Sequence, residues 1–167
     1  YADDFVVLCE SPKMVQEAER RVRLIFERLK LTLHPEKTRK VDLSWGREGF
    51  NFLGWYLRKC MSGRLKEQGK VRYFLHRWPS VRSMNRVRQK VKDLTGSNRN
   101  GVKDVRVLID DLNPVLRGWG NYFRTGNSAT KFGLVDKHVE KRLRKFLIRR
   151  QGRNLRAGQV TRWTGDW

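Results

Sequence analysis

Between residues 80 and 150 the apolar side chains recur at helical spacing, and lysine and arginine fill most of the positions between them. Apolar residues three and four apart lie on one face of a helix, so this pattern requires helices that bury one side against each other. Ser80 is a good N-cap for the first helix, residues 96–101 form a polar loop, and Asn113-Pro114 is expected to restart a helix. We predict a three-helix bundle, whose inward positions are Val81, Met84, Val87, Val91, Leu94, Val105, Leu108, Ile109, Leu112, Val115, Trp119, Tyr122, Phe123, Phe132, Val135, Val139, Leu143, Phe146 and Leu147.

Charge is distributed unevenly along the 167 residues. Residues 1–50 contain 10 basic and 9 acidic residues, whereas residues 51–167 contain 28 and 8, and the whole chain has a net charge of +21. A nearly neutral first third joined to a strongly basic remainder indicates two parts with different partners. A large cationic excess favours a polyanionic partner, most often nucleic acid, because solubility alone seldom calls for such an imbalance.

The cations of the helical half are the candidate RNA-binding residues. A helix with one apolar and one cationic face can lie along phosphates while its other side packs in a bundle. A merely solvated face would instead carry both signs, with Glu–Lys pairs four residues apart. The candidates are Arg82, Arg86, Arg88, Lys90, Lys92, Arg117, Arg124, Lys141, Arg142, Arg144, Lys145, Arg149 and Arg150.

The part before residue 79 mixes strand and helix patterns, which makes the predicted fold class α+β. We expect a small antiparallel sheet with one packed helix, and a continuous sheet running past residue 100 would contradict this division. Trp78-Pro79-Ser80 marks the predicted boundary. The predicted elements are a buried strand at Phe5–Cys9, a helix over residues 12–30, a short strand at Leu31 and Leu33, and a hairpin of residues 50–58 and 71–76 joined by a loop over residues 59–70.

Other classes of protein find little support in the composition. No run approaches the roughly 18 apolar residues of a membrane span, so no membrane partner is expected. The two cysteines, Cys9 and Cys60, fit no zinc-finger spacing. The chain begins with Tyr1 instead of methionine and enters a site-like motif at once, so we expect it to be a fragment.

Two adjacent aspartates, Asp3 and Asp4, stand directly before an apolar run. Neighbouring residues of a strand point to opposite faces, but a tight turn can aim both carboxylates the same way. Such a pair repels itself unless a divalent cation neutralises it, and Mg²⁺ prefers carboxylate oxygens. The pair therefore suggests two-metal phosphoryl transfer. An ordinary solvated turn remains the alternative at this point.

Four segments in this order resemble reverse transcriptases encoded by group II introns. They are Tyr1-Ala2-Asp3-Asp4-Phe5, Leu31-Thr32-Leu33-His34-Pro35-Glu36-Lys37-Thr38, Phe52-Leu53-Gly54-Trp55, and Leu112-Asn113-Pro114-Val115-Leu116-Arg117-Gly118-Trp119-Gly120-Asn121-Tyr122-Phe123-Arg124. The resemblance covers nearly the whole chain. It implies the C-terminal part of a polymerase palm over residues 1–78, a helical thumb or maturase domain over residues 79–150, and a basic tail over residues 151–167.

The resemblance also implies roles for individual residues. Asp3 and Asp4 would be catalytic and would bind two Mg²⁺ ions together with a third aspartate that these residues do not contain. Lys37 would lie near the leaving pyrophosphate, with a solvated loop lysine as the alternative. Tyr1 and Ala2 would lie near the primer end, and Phe52, Leu53, Gly54 and Trp55 would form the primer grip. For Trp55 a place in the core is an equal alternative.

The function implied is that of an RNA-directed DNA polymerase and maturase, with this chain alone inactive. Its partners would be the group II intron RNA and the RNA/DNA primer–template, in the cytoplasm of a bacterium or in an organelle. A non-catalytic RNA-binding splicing factor on the same scaffold is the alternative. A DNA-binding module unrelated to polymerases is a weaker one, because it does not explain Asp3 and Asp4.

Overall fold

The computed structural model describes residues 4–99, 102 and 104–151, which fold into a small antiparallel sheet and five α-helices. This confirms the predicted α+β class. The sheet has the strand order β1-β2-β3. The elements are α1 (Pro12–Arg28), β1 (Gly49–Phe52), β2 (Trp55–Met61), α2 (Gly63–Glu67), β3 (Tyr73–Pro79), α3 (Val81–Leu94), a 3-10 turn (Ser97–Arg99), α4 (Val105–Phe123) and α5 (Ala129–Gln151).

The chain divides into two compact units. The first consists of residues 1–53 and 57–75, and the second of residues 54–56 and 76–167. The predicted functional boundary at residue 78 lies close to this division and stays a prediction. Residues 54–56 group with the helices, which the aromatic and branched pattern of this segment did not predict.

Helix α1 of the first unit forms where its apolar spacing predicts it. The Ser11 hydroxyl accepts a hydrogen bond from the Met14 N–H at 3.3 Å, and Pro12 occupies the first turn. No residue of α1 is fully buried, but Val15, Ala18, Val22 and Phe26 are half-buried, whereas Ile25 is 52% exposed. The prediction of one packed helix holds only in part for the described residues, because amphipathic spacing specifies a helix but does not supply the surface that covers it.

Two predicted strands of the first unit are absent. Residues 5–9 and 31–33 have no regular structure, and Leu8 is 77% exposed. A strand needs a neighbouring strand to pair its backbone N–H and C=O groups. Neither segment is part of the β1-β2-β3 sheet, which contains all the strands in the described part of the chain.

The predicted strand over residues 50–58 is two strands joined by a tight turn. Leu53 and Gly54 have φ angles of 46° and 81°, which is the two-residue geometry that matches the twist of a hairpin. Gly54 adopts this conformation without strain. The aromatic residues on both sides favoured one continuous strand, so the turn at Gly54 was not predicted. The predicted loop over residues 59–70 contains the short helix α2.

The second unit contains the three predicted helices. Ser80 caps α3 by accepting a hydrogen bond from the Ser83 N–H at 3.2 Å. Helix α3 packs against both α4 and α5. The buried apolar residues of this unit are Met84, Val87, Val91, Leu108, Leu112, Phe123, Val135 and Phe146.

Helix α4 runs without a break through the position where a new helix was predicted to start. Pro114 lies inside α4 and is exposed. Proline removes the hydrogen bond to the carbonyl four residues earlier, which here belongs to Asp110. Asp110 is exposed as well, so water can satisfy that carbonyl and the helix continues.

Candidate nucleic-acid interface

The predicted metal turn falls largely outside the described residues, which do not include Tyr1, Ala2 and Asp3. Asp4 is exposed, and no cluster of three His, Cys, Asp or Glu side chains able to hold a metal occurs among the residues the structure describes. Lys37 lies in an exposed turn, where its N–H donates to the His34 carbonyl at 3.2 Å. The described residues therefore do not assemble a Mg²⁺ site on their own, and the catalytic roles stay predictions.

The predicted primer grip forms the β1–β2 turn and its flanks. The Gly54 carbonyl accepts hydrogen bonds from the Ser80 N–H at 2.9 Å and the Ser83 hydroxyl at 2.8 Å. A side chain at Gly54 would come within 3.0 Å of that hydroxyl. Because Gly54 has no side chain, the first turn of α3 can lie against this backbone. A contact of Phe52, Leu53 or Gly54 with a primer stays a prediction.

Trp55 belongs to an aromatic cluster of the second unit. Its ring lies 4.7 Å from Phe123 in an edge-on arrangement and 5.9 Å from Tyr122. The Arg77 guanidinium stands 5.2 Å above the same ring. Such contacts fix a half-buried indole in place. The structure therefore places Trp55 in packing, which is the alternative that the sequence left open.

The exposed cations of α3 lie opposite its buried side. Arg82, Arg86 and Lys90 recur every four residues and are all exposed, and we call them the α3 basic face. Met84, Val87 and Val91 are 4% exposed or less. Lys92 is exposed as well, whereas Arg88 is half-buried.

Helix α5 has a second cationic surface. Lys137, Lys141, Arg144 and Lys145 lie together on one side of α5 with Glu140 and Ile148, and we call these four cations the α5 basic face. Arg144 lies 3.5 Å from the Glu140 carboxylate. None of the three lysines has an ion-pair partner in the part of the chain that the structure describes. The face therefore offers positive charge to an outside partner.

Two predicted RNA-binding arginines of α5 donate hydrogen bonds to the end of α3, and their contact with RNA stays a prediction. Arg142 donates to the Thr95 hydroxyl at 2.9 Å, the Thr95 carbonyl at 3.1 Å and the Lys92 carbonyl at 3.3 Å. Arg149 donates to the Thr95 carbonyl at 2.9 Å. These arginines satisfy the last carbonyls of α3, where the helix dipole favours positive charge. Substituting Arg142 should therefore disturb the packing of α5 on α3.

A signal for this role was present in the sequence. Arg142 and Arg149 follow Val135 at intervals of seven, and Phe146 lies between them on the same stripe. Val135 is 3% and Phe146 1% exposed. A cation on an apolar stripe faces the neighbouring helix, so spacing distinguishes it from the solvent-facing cations.

His138 lies in the same α3–α5 seam, and its Nε2 atom is buried without a hydrogen-bond partner among the described residues. Burial lowers the pKa of His138 from its ordinary value of 6.5, and the positive charges of Arg88, Arg142 and Lys141 lower it further. A hydrogen bond with the Arg88 backbone opposes these effects. The side chain is therefore held neutral near pH 7, which the sequence did not indicate.

The remaining candidates are divided between α4 and the end of α5. Arg117 is exposed on α4, and the exposed Arg124 follows its last turn. The side chain of Arg150 lies outside the described set, as does the predicted basic tail of residues 152–167.

Among the described helices, none combines the length and the apolar character that a membrane span requires.

Comparison with known proteins identifies the helical half. Residues 84–163 match the family model of the group II intron, maturase-specific domain. A search of curated proteins found no match. The matched segment begins in α3 and contains α4 and α5, so it includes the α5 basic face and the Arg142 contacts. The resemblance drawn from the sequence motifs is thereby confirmed over these residues, which are similar to the maturase-specific domain of group II introns.

Proposed function

We propose that the chain binds group II intron RNA through the α3 and α5 basic faces. The observation that carries this proposal is the one-sided arrangement of α5, whose apolar residues and Arg142 serve the bundle while Lys137, Lys141, Arg144 and Lys145 remain at the surface. Structured RNA presents phosphates and 2′-hydroxyls in a wide, shallow minor groove. Exposed cations on helices suit such a target because the backbone that carries them needs no ordering on binding.

The salt dependence of RNA binding tests this proposal. If about six phosphates are contacted, log K should fall with log salt at a slope of roughly −4 to −5. Filter binding of the full chain to a structured group II intron RNA, at several salt concentrations, measures it. A response that is flat in salt would remove the electrostatic account.

The finer assignment to a polymerase is part of the same proposal. Residues 1–78 would be the C-terminal part of a reverse transcriptase palm, and residues 79–150 its thumb or maturase domain, in a cytoplasmic or organellar enzyme that also binds a primer–template. Asp3 and Asp4 would hold Mg²⁺, with a third carboxylate from a polymerase segment outside these residues. The metal would supply charge neutralisation at the phosphates, and Lys37 would add a cation for the departing pyrophosphate.

The Asp3→Asn variant tests the polymerase assignment, in a protein that joins this sequence to the rest of the polymerase. Asparagine keeps the size and turn preference of aspartate but removes the charge that a divalent cation requires. DNA synthesis on an RNA template should be lost while RNA binding and assistance to splicing persist. Primer extension and a splicing assay on one purified sample measure both. Full extension by the variant would show that the turn is not the metal site.

A further inference from the structure

The loop of residues 42–48 in the first unit presents an exposed tryptophan. Trp45 is 65% exposed, whereas the other described tryptophans, Trp55, Trp78 and Trp119, are half-buried. Trp45 therefore presents most of its indole ring to solvent, and covering that ring with a planar apolar partner would bury a large apolar area.

The loop holds Trp45 in one place. The Ser44 N–H donates to the Asp42 carboxylate at 2.8 Å, and the Asp42 N–H donates to the Glu48 carboxylate at 3.1 Å. Gly46 has a φ of +64°, and a side chain there would collide with the Lys59 carbonyl of β2. Only glycine allows the loop to lie so close to the strand.

Trp45 also rests on a neighbouring ring in a way that leaves its surface available. It meets Tyr73 of β3 edge-on, at a centroid distance of 6.3 Å and an interplanar angle of 85°. An edge-on contact supports the indole without covering both of its faces. The surrounding sequence is cationic: residues 36–72 contain ten Lys and Arg against four acidic residues. Lys59 and Arg47 lie near enough to Asp42 to lower the pKa of its carboxyl, after the larger effect of Ser44.

We propose that Trp45 is a stacking platform for an unpaired nucleobase, held beside the cations of this loop and strand β2. This inference rests on the proposed RNA binding and adds a contact to single-stranded segments in the first unit. Every base has an apolar π face, so the platform would accept any base and would select for unpaired over paired nucleotides. The cations near Trp45 would attract the phosphates on either side of the stacked base. A protein partner that covered Trp45 through apolar contacts alone would not require these cations.

The test compares Trp45→Leu with Trp45→Phe in the full chain. Leucine keeps an apolar contact with Tyr73 but cannot stack, whereas phenylalanine can. The probes are an adenosine-rich RNA strand, the same strand with abasic sugars, the equivalent single-stranded DNA, and a blunt RNA duplex. Affinity of Trp45→Leu for both intact single strands should fall roughly 5- to 150-fold, the range found for losing one stacked aromatic. Affinity for the duplex and the abasic strand should not change, and Trp45→Phe should retain most of the binding.

A control variant separates stacking from a general loss of exposed aromatic surface. Phe74, which is 50% exposed on β3, supplies it as Phe74→Leu, and this variant should bind every probe as the wild type does. Equal affinities of Trp45→Leu and wild type for the single strands would overturn the inference, as would an equal loss on single strands and duplex. A change in self-association without a change in RNA affinity would overturn it too. A wild-type chain that binds none of these RNAs would instead contradict the proposed function.

Discussion

Helices α1 and α5 are both rich in arginine and lysine, yet their charges have different surroundings. On α1, Glu17 bonds Arg20 and Arg21 at 2.8 and 2.7 Å, and the hydrogen bonds from Arg20 and then Arg21 lower the pKa of Glu17 to about 2. Glu19 similarly pairs with Lys40 and Arg23, which lower its pKa. On α5, eight basic residues face only two acidic ones, Asp136 and Glu140.

We infer from this difference that the number of cations alone does not distinguish α5 from α1 as a candidate nucleic-acid surface. Arg20, Arg21 and Arg23 of α1 already have carboxylate partners, so part of their positive field is cancelled. The α5 basic face contains a single acid, Glu140, next to four cations. Unbalanced charge on a helix whose other side is anchored is what a phosphate backbone requires.

The largest loss of stability should come from shortening a buried side chain of α5. Phe146 is 1% exposed, so Phe146→Ala should lower the free energy of unfolding by about 3–5 kcal/mol through lost burial and a cavity. On α1, Ile25 is 52% exposed, and Ile25→Ala should change it by about 0.5 kcal/mol or less. Urea denaturation, monitored by circular dichroism, measures the free energy of unfolding of both variants. Equal losses would show that the two helices are anchored alike.

An intermediate effect should come from the arginine that links α5 to α3. Arg142→Ala removes three charged hydrogen bonds to Lys92 and Thr95 and should cost about 2 kcal/mol. Its exposed neighbour gives the control, because Lys141→Ala should cost about 0.5 kcal/mol or less. Thermal unfolding at one pH compares the two. If Lys141→Ala proved the more destabilising, the assignment of cations to the two sides of α5 would be wrong.

A smaller change in folding stability should accompany the protonation of His138 as pH falls. Its folded pKa lies below the 6.5 of the unfolded chain, so the unfolded state binds more protons between these two values. The stability linked to this group is complete above pH 6.5 and is lost as pH falls through the folded pKa. The His138→Gln variant cannot titrate at this position, so it should lose less stability than the wild type between pH 7.5 and 5.5. Parallel pH profiles for the variant and the wild type would contradict the buried neutral state of His138.

The helices could be predicted from the sequence because their spacing and caps are local. Ser11 and Ser80 cap the helices that their positions predict, and α5 follows its apolar stripe. The segment at Phe5–Cys9 has a strand-like composition, but a strand depends on a partner elsewhere in the chain, and composition does not reveal whether one is paired with it. The continuity of α4 through Pro114 was missed because it depends on which side of the helix faces water.

The site was predicted in part for the same reason. Exposed cations such as Lys141 and Lys145 fall between the apolar positions and could be found by spacing alone. The partners of Arg142 at Thr95, 47 residues away, depend on tertiary packing, and charge alone gave no indication of them. The position of Trp45 likewise depends on a turn that brings Gly46 against the Lys59 carbonyl. The spacing of apolar residues in helices and strands does not predict such a turn.

Removing charge separately from α1 and from α5 tests whether the unbalanced face of α5 binds RNA. One variant carries Lys141→Gln, Arg144→Gln and Lys145→Gln, and the other carries Arg20→Gln, Arg21→Gln and Arg23→Gln, so both lose three positive charges. Filter binding to a structured group II intron RNA across a salt series is the measurement. The α5 variant should bind more weakly, with a salt slope shallower by about 2–3, while the α1 variant keeps the wild-type slope and both retain wild-type unfolding. Equal weakening by the two variants would mean that only net charge matters, and an unaffected α5 variant would show that RNA does not contact this face.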